Sequence, residues 1–282
     1  MGNTNFKTIL GKGPYDLDVI TDGSISLAAL TEKNSDFIEA VVQLDSNYKK
    51  EAGSYPPDQG FDPETMADDA NGLYHGSSSY WFEEMKKASK DEAFRRAVLG
   101  AVISIDAANS THLSSGQNGR KEMRERICGA CHCKLNTLID LLKQSFKADD
   151  QKHLINLLNE PITAVKKTKD GSATYRFNIS FVSKFCSYAS SYFGTGFEYP
   201  KYDNVVSDWL GRYALAYLGK RTPEAFFKMP NGNLNKDKKE IESQIYRLYW
   251  NSINDILGKV NIGPKGKPFE RFDHIVWYAN KG

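Results

Sequence analysis

No stretch of the sequence is apolar for long enough to cross a membrane, and the first residues, MGNTNFKTILGKG, lack the apolar segment of a secretory signal. Strong charge of one sign is also missing, because the net charge of +2 does not by itself indicate a nucleic-acid or membrane partner. Cysteine is scarce, with four residues in 282, which excludes a disulfide-rich secreted scaffold. The remaining composition is ordinary for a globular protein. We expect a monomeric cytoplasmic protein with one large domain or two smaller ones.

Apolar residues recur mostly at helical spacing, so the fold is predicted to be mainly α with a small β element. Two short runs, Ile162–Lys167 and Ser172–Phe177, are joined through Asp170-Gly171. Because Asp-Gly is a favoured two-residue turn, these runs predict a β-hairpin. We place an N-terminal helical region with long loops at residues 1–150 and a second region at residues 151–282, with one continuous domain as the alternative.

Three cysteines and a histidine cluster in Cys128–Cys133, CGACHC, which formally contains the CxxCH pattern of c-type haem attachment. Haem attachment requires export, which the N-terminus does not indicate, and a structural zinc ion requires four ligands. The apolar positions around the cluster keep a helical period from Met123 to Leu142. We therefore predict a continuous, half-buried helix here, with no metal and no cofactor.

The stretch Ser180–Trp209 places two charged side chains where helices are predicted to begin. Ser180 predicts an N-cap, which puts Lys184 in the first helical turn, and Asp203 predicts the N-cap of the next helix. A lysine is nucleophilic only as the neutral amine, and an apolar setting or the positive end of a helix lowers its pKa. A capping aspartate suits the stabilisation of positive charge or the acceptance of a proton. The alternative, from these residues alone, is a solvated lysine and an ordinary cap.

The order of features in this stretch is specific. A lysine-bearing helix is followed by a glycine loop, by Phe197–Asp203 with the sequence FEYPKYD, and by another helix. This order resembles the helix-hairpin-helix/GPD superfamily of DNA glycosylases, in particular the 8-oxoguanine glycosylase branch with its aromatic-Pro-x-aromatic-Asp signature. The resemblance covers roughly residues 150–282 and is sharpest over 180–210. It implies a two-lobed helical DNA-glycosylase-like fold in which Lys184 is the Schiff-base lysine and Asp203, 19 positions later, is the essential aspartate.

The resemblance also implies a pocket for a flipped-out base. Phe181, Tyr202 and Trp209 stand close to the pair in sequence and are candidates to stack on that base. Core packing is the alternative, most clearly for Trp209. Asp273 and Trp277 belong to the C-terminal helix, which in such glycosylases returns beside the pocket; for these two the alternative is a face that docks against other helices.

A polar loop, Asn109–Gly119, supplies the first predicted DNA contact. Glycosylases fill the gap left by a flipped base with a small or polar finger. His112, Ser114, Gln117 and Asn118 are candidates for this role. A plain surface loop is the alternative.

The predicted hairpin supplies the second predicted DNA contact. The Leu-Pro-Gly-Val-Gly hairpin of the family is replaced by Tyr175–Ser183, YRFNISFVS, which contains no glycine. Lys166, Lys167 and Lys169 are therefore candidates to hold the DNA phosphates in its place. Solvated lysines on an exposed hairpin are the alternative.

Together these features predict an enzyme that flips out and excises a damaged or modified base from double-stranded DNA, through Lys184 and Asp203 and without a metal. The reaction includes an AP-lyase step if Lys184 attacks the sugar. Two alternatives stay open. One is a phage-defence glycosylase that excises hypermodified cytosine from viral DNA, and the other is a non-catalytic helical DNA-binding protein.

Overall fold

A computed structural model gives the fold of most of the chain. It describes residues 19–21, 26–43, 53–67, 73–109, 111, 113, 118–147, 150–160, 162–167, 173–176, 178–221, 227–229, 237–263 and 267–280. Within these ranges the protein is mainly helical, as predicted, and the β structure is confined to two short antiparallel pairs of strands. No helix in the described ranges is both long and apolar enough to cross a membrane.

The elements are named in chain order. They are β1 (Val19–Thr21), β2 (Ser26–Ala28), α1 (Glu32–Val42), α2 (Pro63–Met66), α3 (Ser78–Lys87), α4 (Asp91–Asn109), α5 (Gly119–Cys131), α6 (Leu135–Leu142), α7 (Leu154–Leu158), β3 (Ile162–Lys167), β4 (Ala173–Arg176), α8 (Ile179–Phe193), α9 (Asn204–Leu218), α10 (Asp237–Leu257) and α11 (Pro268–Asn280).

The chain divides into two compact units. The first combines Met1–Asp45, Pro200–Met229 and Gln244–Gly282, and the second combines Ser46–Tyr199 and Pro230–Ser243. The boundary predicted at residue 150 falls inside the second unit. The division differs from the prediction because the first unit is assembled from segments that are far apart in sequence, a property that local patterns do not reveal.

The first unit is built around the C-terminal helix. Both β2 and α1 pack against α11, and α9 packs against the same helix. The buried hydroxyl of Tyr213 on α9 donates to the carbonyl oxygen of Ala28 at 3.1 Å. His274 on α11 pairs with Glu39 on α1, with 2.7 Å between Nδ1 and Oε1. These contacts tie the N-terminal and C-terminal segments together.

The second unit has α4 at its centre. This helix is apolar around most of its circumference and is buried from Ala97 to Asp106 without interruption, as expected of a helix enclosed by other elements. α3 packs closely against it, because Gly100 has no side chain where the two helices meet. A Cβ atom at Gly100 would lie 2.2 Å from the ring of Trp81. Gly100 therefore fixes the distance of closest approach between these helices.

The predicted β-hairpin is confirmed. β3 pairs with β4 in antiparallel register, with Ile162 opposite Arg176 and an irregularity between Ala164 and Lys167. The turn, residues 168–172, lies outside the described residues.

The predicted continuous helix through the cysteine cluster is wrong. α5 ends at Cys131, and α6 begins at Leu135. His132 and Cys133 are both left-handed, with φ of 53° and 54°. The break escaped the sequence analysis because this conformation is usually taken by glycine, and because the apolar spacing resumes in register after the turn.

Candidate functional site

Lys184 lies on α8 in the second unit, on the face that packs into the interior. Only 5% of its surface is exposed, and its neighbours along the helix, Phe181 and Phe185, are completely buried. The Nζ atom donates a hydrogen bond to the Oγ atom of Ser180, one turn earlier, at 3.3 Å. Lys184 therefore has the apolar setting that was predicted, and it is not the solvated surface lysine of the alternative.

The start of α8 differs from the prediction. The N-cap is Asn178 rather than Ser180, so Lys184 stands in the second helical turn. Because the influence of a helix dipole falls off within the first turn, the dipole acts on Lys184 less than expected.

A buried polar network fixes the N-terminus of α8. The backbone amide of Asn178 donates to Oδ1 of Asn159 at 3.2 Å, and Nδ2 of Asn159 donates to Oε2 of Glu242 at 3.1 Å. All three residues are at most 5% exposed. A buried carboxylate is rare unless it is hydrogen-bonded. This network, which the sequence analysis missed, holds the helix that carries Lys184.

Asp203 lies in the first unit and is the N-cap of α9, as predicted. Its backbone is extended, and its Oδ1 atom accepts a hydrogen bond from the amide of Val205 at 2.8 Å. The side chain is half-buried. An anion at this end of a helix is stabilised by the unpaired amides and by the helix dipole.

The segment before Asp203 is held in place by two tyrosines of α10. The hydroxyl of Tyr246 donates to the carbonyl oxygen of Pro200, and that of Tyr249 donates to the carbonyl oxygen of Lys201, both at 2.8 Å. Both tyrosine side chains are completely buried. They satisfy the carbonyls of an extended segment that has no strand partner. Their spacing of three on a long amphipathic helix was a signal for a shared buried face, but it did not reveal what the hydroxyls bind.

Tyr202 belongs to the same arrangement. Its ring packs against Tyr249 with centroids 5.2 Å apart, and its hydroxyl donates to the carbonyl oxygen of Phe227 at 2.7 Å. The residue is 2% exposed. Its ring and hydroxyl are both used inside the first unit, so the structure gives Tyr202 a supporting role beside Asp203 rather than an open surface for a base.

Two predicted site residues, Asp203 and Asp273, both influence the pKa of Tyr249 through their charges. Burial and, after it, the charges of Asp273 and Asp203 raise the pKa of Tyr249 well above its usual range. Asp273 comes from α11 and Asp203 from the start of α9. Tyr249 remains a neutral hydrogen-bond donor to the carbonyl oxygen of Lys201.

The other aromatic candidates have different surroundings. Phe181 has no exposed surface and stacks on Phe185, with centroids 6.2 Å apart, which makes it a core residue. Trp209 is half-buried, and the guanidinium of Arg212 lies 4.8 Å from its ring. Trp277 is also half-buried. Of these three, only the two tryptophans keep surface that a ligand can reach.

The polar loop after α4 is only partly described. His112, Ser114 and Gln117 lie outside the described residues. Asn118 is exposed and left-handed, with φ of 63°, immediately before α5. A side chain at this position is free to extend into solvent, as a contact to DNA requires.

A buried ion pair holds the described parts of the chain on both sides of that loop. The carboxylate of Asp106 accepts hydrogen bonds from the hydroxyl of Thr111 at 2.6 Å and from the amide of Leu113 at 2.8 Å. From the other side, Nε of Arg120 donates to the same carboxylate at 2.8 Å, and its Nη1 atom donates to the carbonyl oxygen of Ala67. The side chains of Asp106 and Arg120 are 1% and 6% exposed.

The lysines predicted to hold phosphates lie on or near β3. Lys166 and Lys167 are in the strand, and the structure describes their backbone alone. Lys169 lies outside the described residues. Among the described residues, no group of three or more histidine, cysteine, aspartate or glutamate side chains is arranged to hold a metal ion.

The chain was compared with known proteins at the level of families, sequences and structures. No protein-family model, no curated protein and no solved structure matches it. The resemblance to DNA glycosylases therefore rests on the residues of the Lys184–Asp203 segment alone.

Proposed function

We propose that the chain is a DNA glycosylase that excises a damaged or modified base from double-stranded DNA through Lys184 and Asp203, with an associated lyase step. The burial of Lys184, which is 5% exposed, carries the proposal. Lysine is almost never buried, because removing its ammonium group from water is costly. A nucleophilic amine gains from the same setting, since burial favours the neutral form.

The way in which Asp203 is held is a second line of support for the proposal. The half-buried carboxylate is fixed by its capping bond, and the backbone before it is fixed by tyrosine hydroxyls. A pre-positioned negative charge stabilises positive charge that develops in a transition state, without reorganisation at the moment of reaction. Asp203 would act in this way on the sugar.

The reaction begins when the target nucleotide leaves the duplex, at a cost of a few kcal/mol that is smallest for a damaged or poorly paired base. The bond between C1′ and the base breaks, and Asp203 stabilises the oxocarbenium character of the sugar. The neutral amine of Lys184 adds to C1′ and loses a proton, which the departing base takes up; the C1′–O4′ bond then breaks, so that the sugar ring opens and a Schiff base remains between Lys184 and C1′. β-Elimination then breaks the bond to the 3′ phosphate, and hydrolysis releases the lysine.

The substrate is proposed by resemblance and by chemistry. 8-Oxoguanine is the first candidate. A hypermodified cytosine, such as glucosylated hydroxymethylcytosine in viral DNA, is the second candidate. Both require a base that leaves the stack and a reactive C1′, so one assay covers them.

Borohydride trapping tests the proposal. Duplexes carrying 8-oxoguanine, uracil, an alkylated purine or glucosylated hydroxymethylcytosine are incubated with the protein, and base release and covalent adducts are measured. We expect an adduct with at least one substrate, lost in Lys184→Gln. We expect Asp203→Asn to slow base release by about 10²–10³-fold, the usual effect of removing one pre-positioned electrostatic group.

Matched controls separate chemistry from general charge effects. Asp208 lies on the same helix as Asp203 and is exposed, and Lys220 is an exposed lysine just after that helix. Asp208→Asn and Lys220→Gln should release base at the wild-type rate. Base release that survives Lys184→Gln but not Asp203→Asn would indicate a glycosylase without the lyase step. Absence of release and of trapping from all substrates, with DNA binding unchanged in both variants, would reject the enzyme and favour a DNA-binding protein.

A further inference from the structure

Two cysteine side chains meet at the end of α5, in an arrangement that the proposed function does not use. The left-handed residues His132 and Cys133 turn the chain back on itself. As a result, the amide of Cys133 donates to the carbonyl oxygen of Cys128 at 3.0 Å. Helix ends of this type bring the side chains of these two positions into contact. Here both side chains are thiols.

The two thiols differ in exposure. Cys128 is 1% exposed, whereas Cys133 is half-buried and can be reached from solvent. Burial raises the pKa of the Cys128 thiol, so this group stays protonated in the resting protein. Of these two thiols, that of Cys133 is therefore the one that a soluble oxidant can reach.

Arg95 provides a positive charge beside the exposed thiol. Its Nη1 atom lies 3.8 Å from the Sγ atom of Cys133, and its Nη2 atom forms an ion pair with Glu125. Reactive cysteines are typically partly exposed and lie in positive surroundings, because the thiolate is the nucleophile. Cys133 meets both conditions.

The third cysteine of the cluster has other partners. Cys131 is completely buried, and its thiol donates to the carbonyl oxygen of Cys128, with 3.9 Å between the sulfur and the oxygen. Burial raises the pKa of Cys131 to about 11. Because its sulfur is engaged with the backbone, Cys128 is the partner available to Cys133.

We infer that Cys128 and Cys133 form an oxidisable dithiol that hydrogen peroxide converts to an intramolecular disulfide. The sulfur of Cys133 attacks one peroxide oxygen, the O–O bond breaks, and water leaves, which yields a sulfenic acid. The sulfur of Cys128 then attacks the sulfur of Cys133. The S–S bond forms, the S–O bond breaks, and the departing hydroxide takes the proton of Cys128 as a second water. Two thiols are oxidised, and one peroxide is reduced to two waters.

Peptide mapping of the full chain tests this inference, and it is independent of any glycosylase activity. The reduced protein is treated with hydrogen peroxide, unfolded, alkylated and digested with trypsin. The peptide Ile127–Lys134, ICGACHCK, contains all three cysteines of the cluster. After oxidation we expect this peptide to carry one alkyl group, on Cys131, and to lack two hydrogens. Dithiothreitol should restore three alkylated cysteines, and Cys133→Ser should abolish the change.

The control is the fully buried Cys186, which lies on α8. Cys186→Ala should leave the oxidation unchanged, and Arg95→Gln should slow it. Because Cys133 is half-exposed, Cys133→Ser should fold, and the wild-type map does not depend on any variant. Three alkylated cysteines after peroxide, a Cys131–Cys133 disulfide, or oxidation of Cys133 to a sulfinic acid with Cys128 still reduced would each overturn the inference.

Discussion

Replacing Arg120 by methionine should destabilise the protein severely. The change keeps the length of the side chain but leaves the Asp106 carboxylate, 1% exposed, without its cation. Removing one partner of a buried ion pair costs about 3–5 kcal/mol, because the remaining charge stays buried without compensation. At about 2–4 °C per kcal/mol for a chain of this size, the melting temperature should fall by roughly 6–20 °C.

An exposed pair in the same unit is the matched control. Nη1 of Arg96 lies 2.7 Å from Oδ1 of Asp62, about as close as the buried pair at 2.8 Å, but the two side chains are 48% and 36% exposed. Exposed pairs contribute about 0–1 kcal/mol, so Arg96→Met should change the unfolding free energy by no more than that. Urea unfolding followed by circular dichroism measures both variants.

A double variant checks the cause. Asp106→Asn removes the charge and keeps an oxygen for Thr111 and Leu113, so combining it with Arg120→Met should recover about 2 kcal/mol or more of the loss. The reasoning is refuted if Arg120→Met costs no more than Arg96→Met. It is also refuted if the double variant is as unstable as Arg120→Met alone.

Three further predictions concern stability, and urea unfolding tests each of them. Gly100→Ala should lower the free energy of unfolding by about 1–3 kcal/mol despite the better helix propensity of alanine, because the new methyl group would lie 2.2 Å from the Trp81 ring. Gly129 has open space around it, so Gly129→Ala should instead stabilise the protein by about 0.5–1 kcal/mol. Burial lowers the pKa of His153, so the contribution of this residue to stability is complete above the unfolded pKa of about 6.5 and is lost as the pH falls through the folded pKa. The free energy of unfolding should therefore decrease below about pH 6.5, and it should decrease less in His153→Gln. Tyr249→Phe leaves a buried carbonyl without its donor and should cost about 1–3 kcal/mol, whereas an unchanged stability would contradict that role.

Local chemistry explains the successful predictions. The cap at Asp203 was predicted correctly because it depends only on a side-chain oxygen and an amide two residues later. The hairpin of β3 and β4 was predicted from the favoured Asp170-Gly171 turn between two short runs, which again involves neighbours in sequence.

The predictions that were wrong concern features that depend on residues far away in the sequence. The start of α8 was predicted at Ser180, but Asn178 is held by Asn159, which belongs to another element. In the same way, the burial of Lys184 depends on the neighbours that fold around it, which no spacing within its own helix reveals.

The first unit is assembled from segments that are far apart in sequence, and this affects how it forms during biosynthesis. Its α1 packs on α11, so the apolar face of α1 is covered only after the much later segment that forms α11 has been made. The second unit closes earlier, because its last residue is Ser243. During translation α1 therefore stays without its partner helix while the second unit is completed, which leaves its apolar face open to chaperones in that interval.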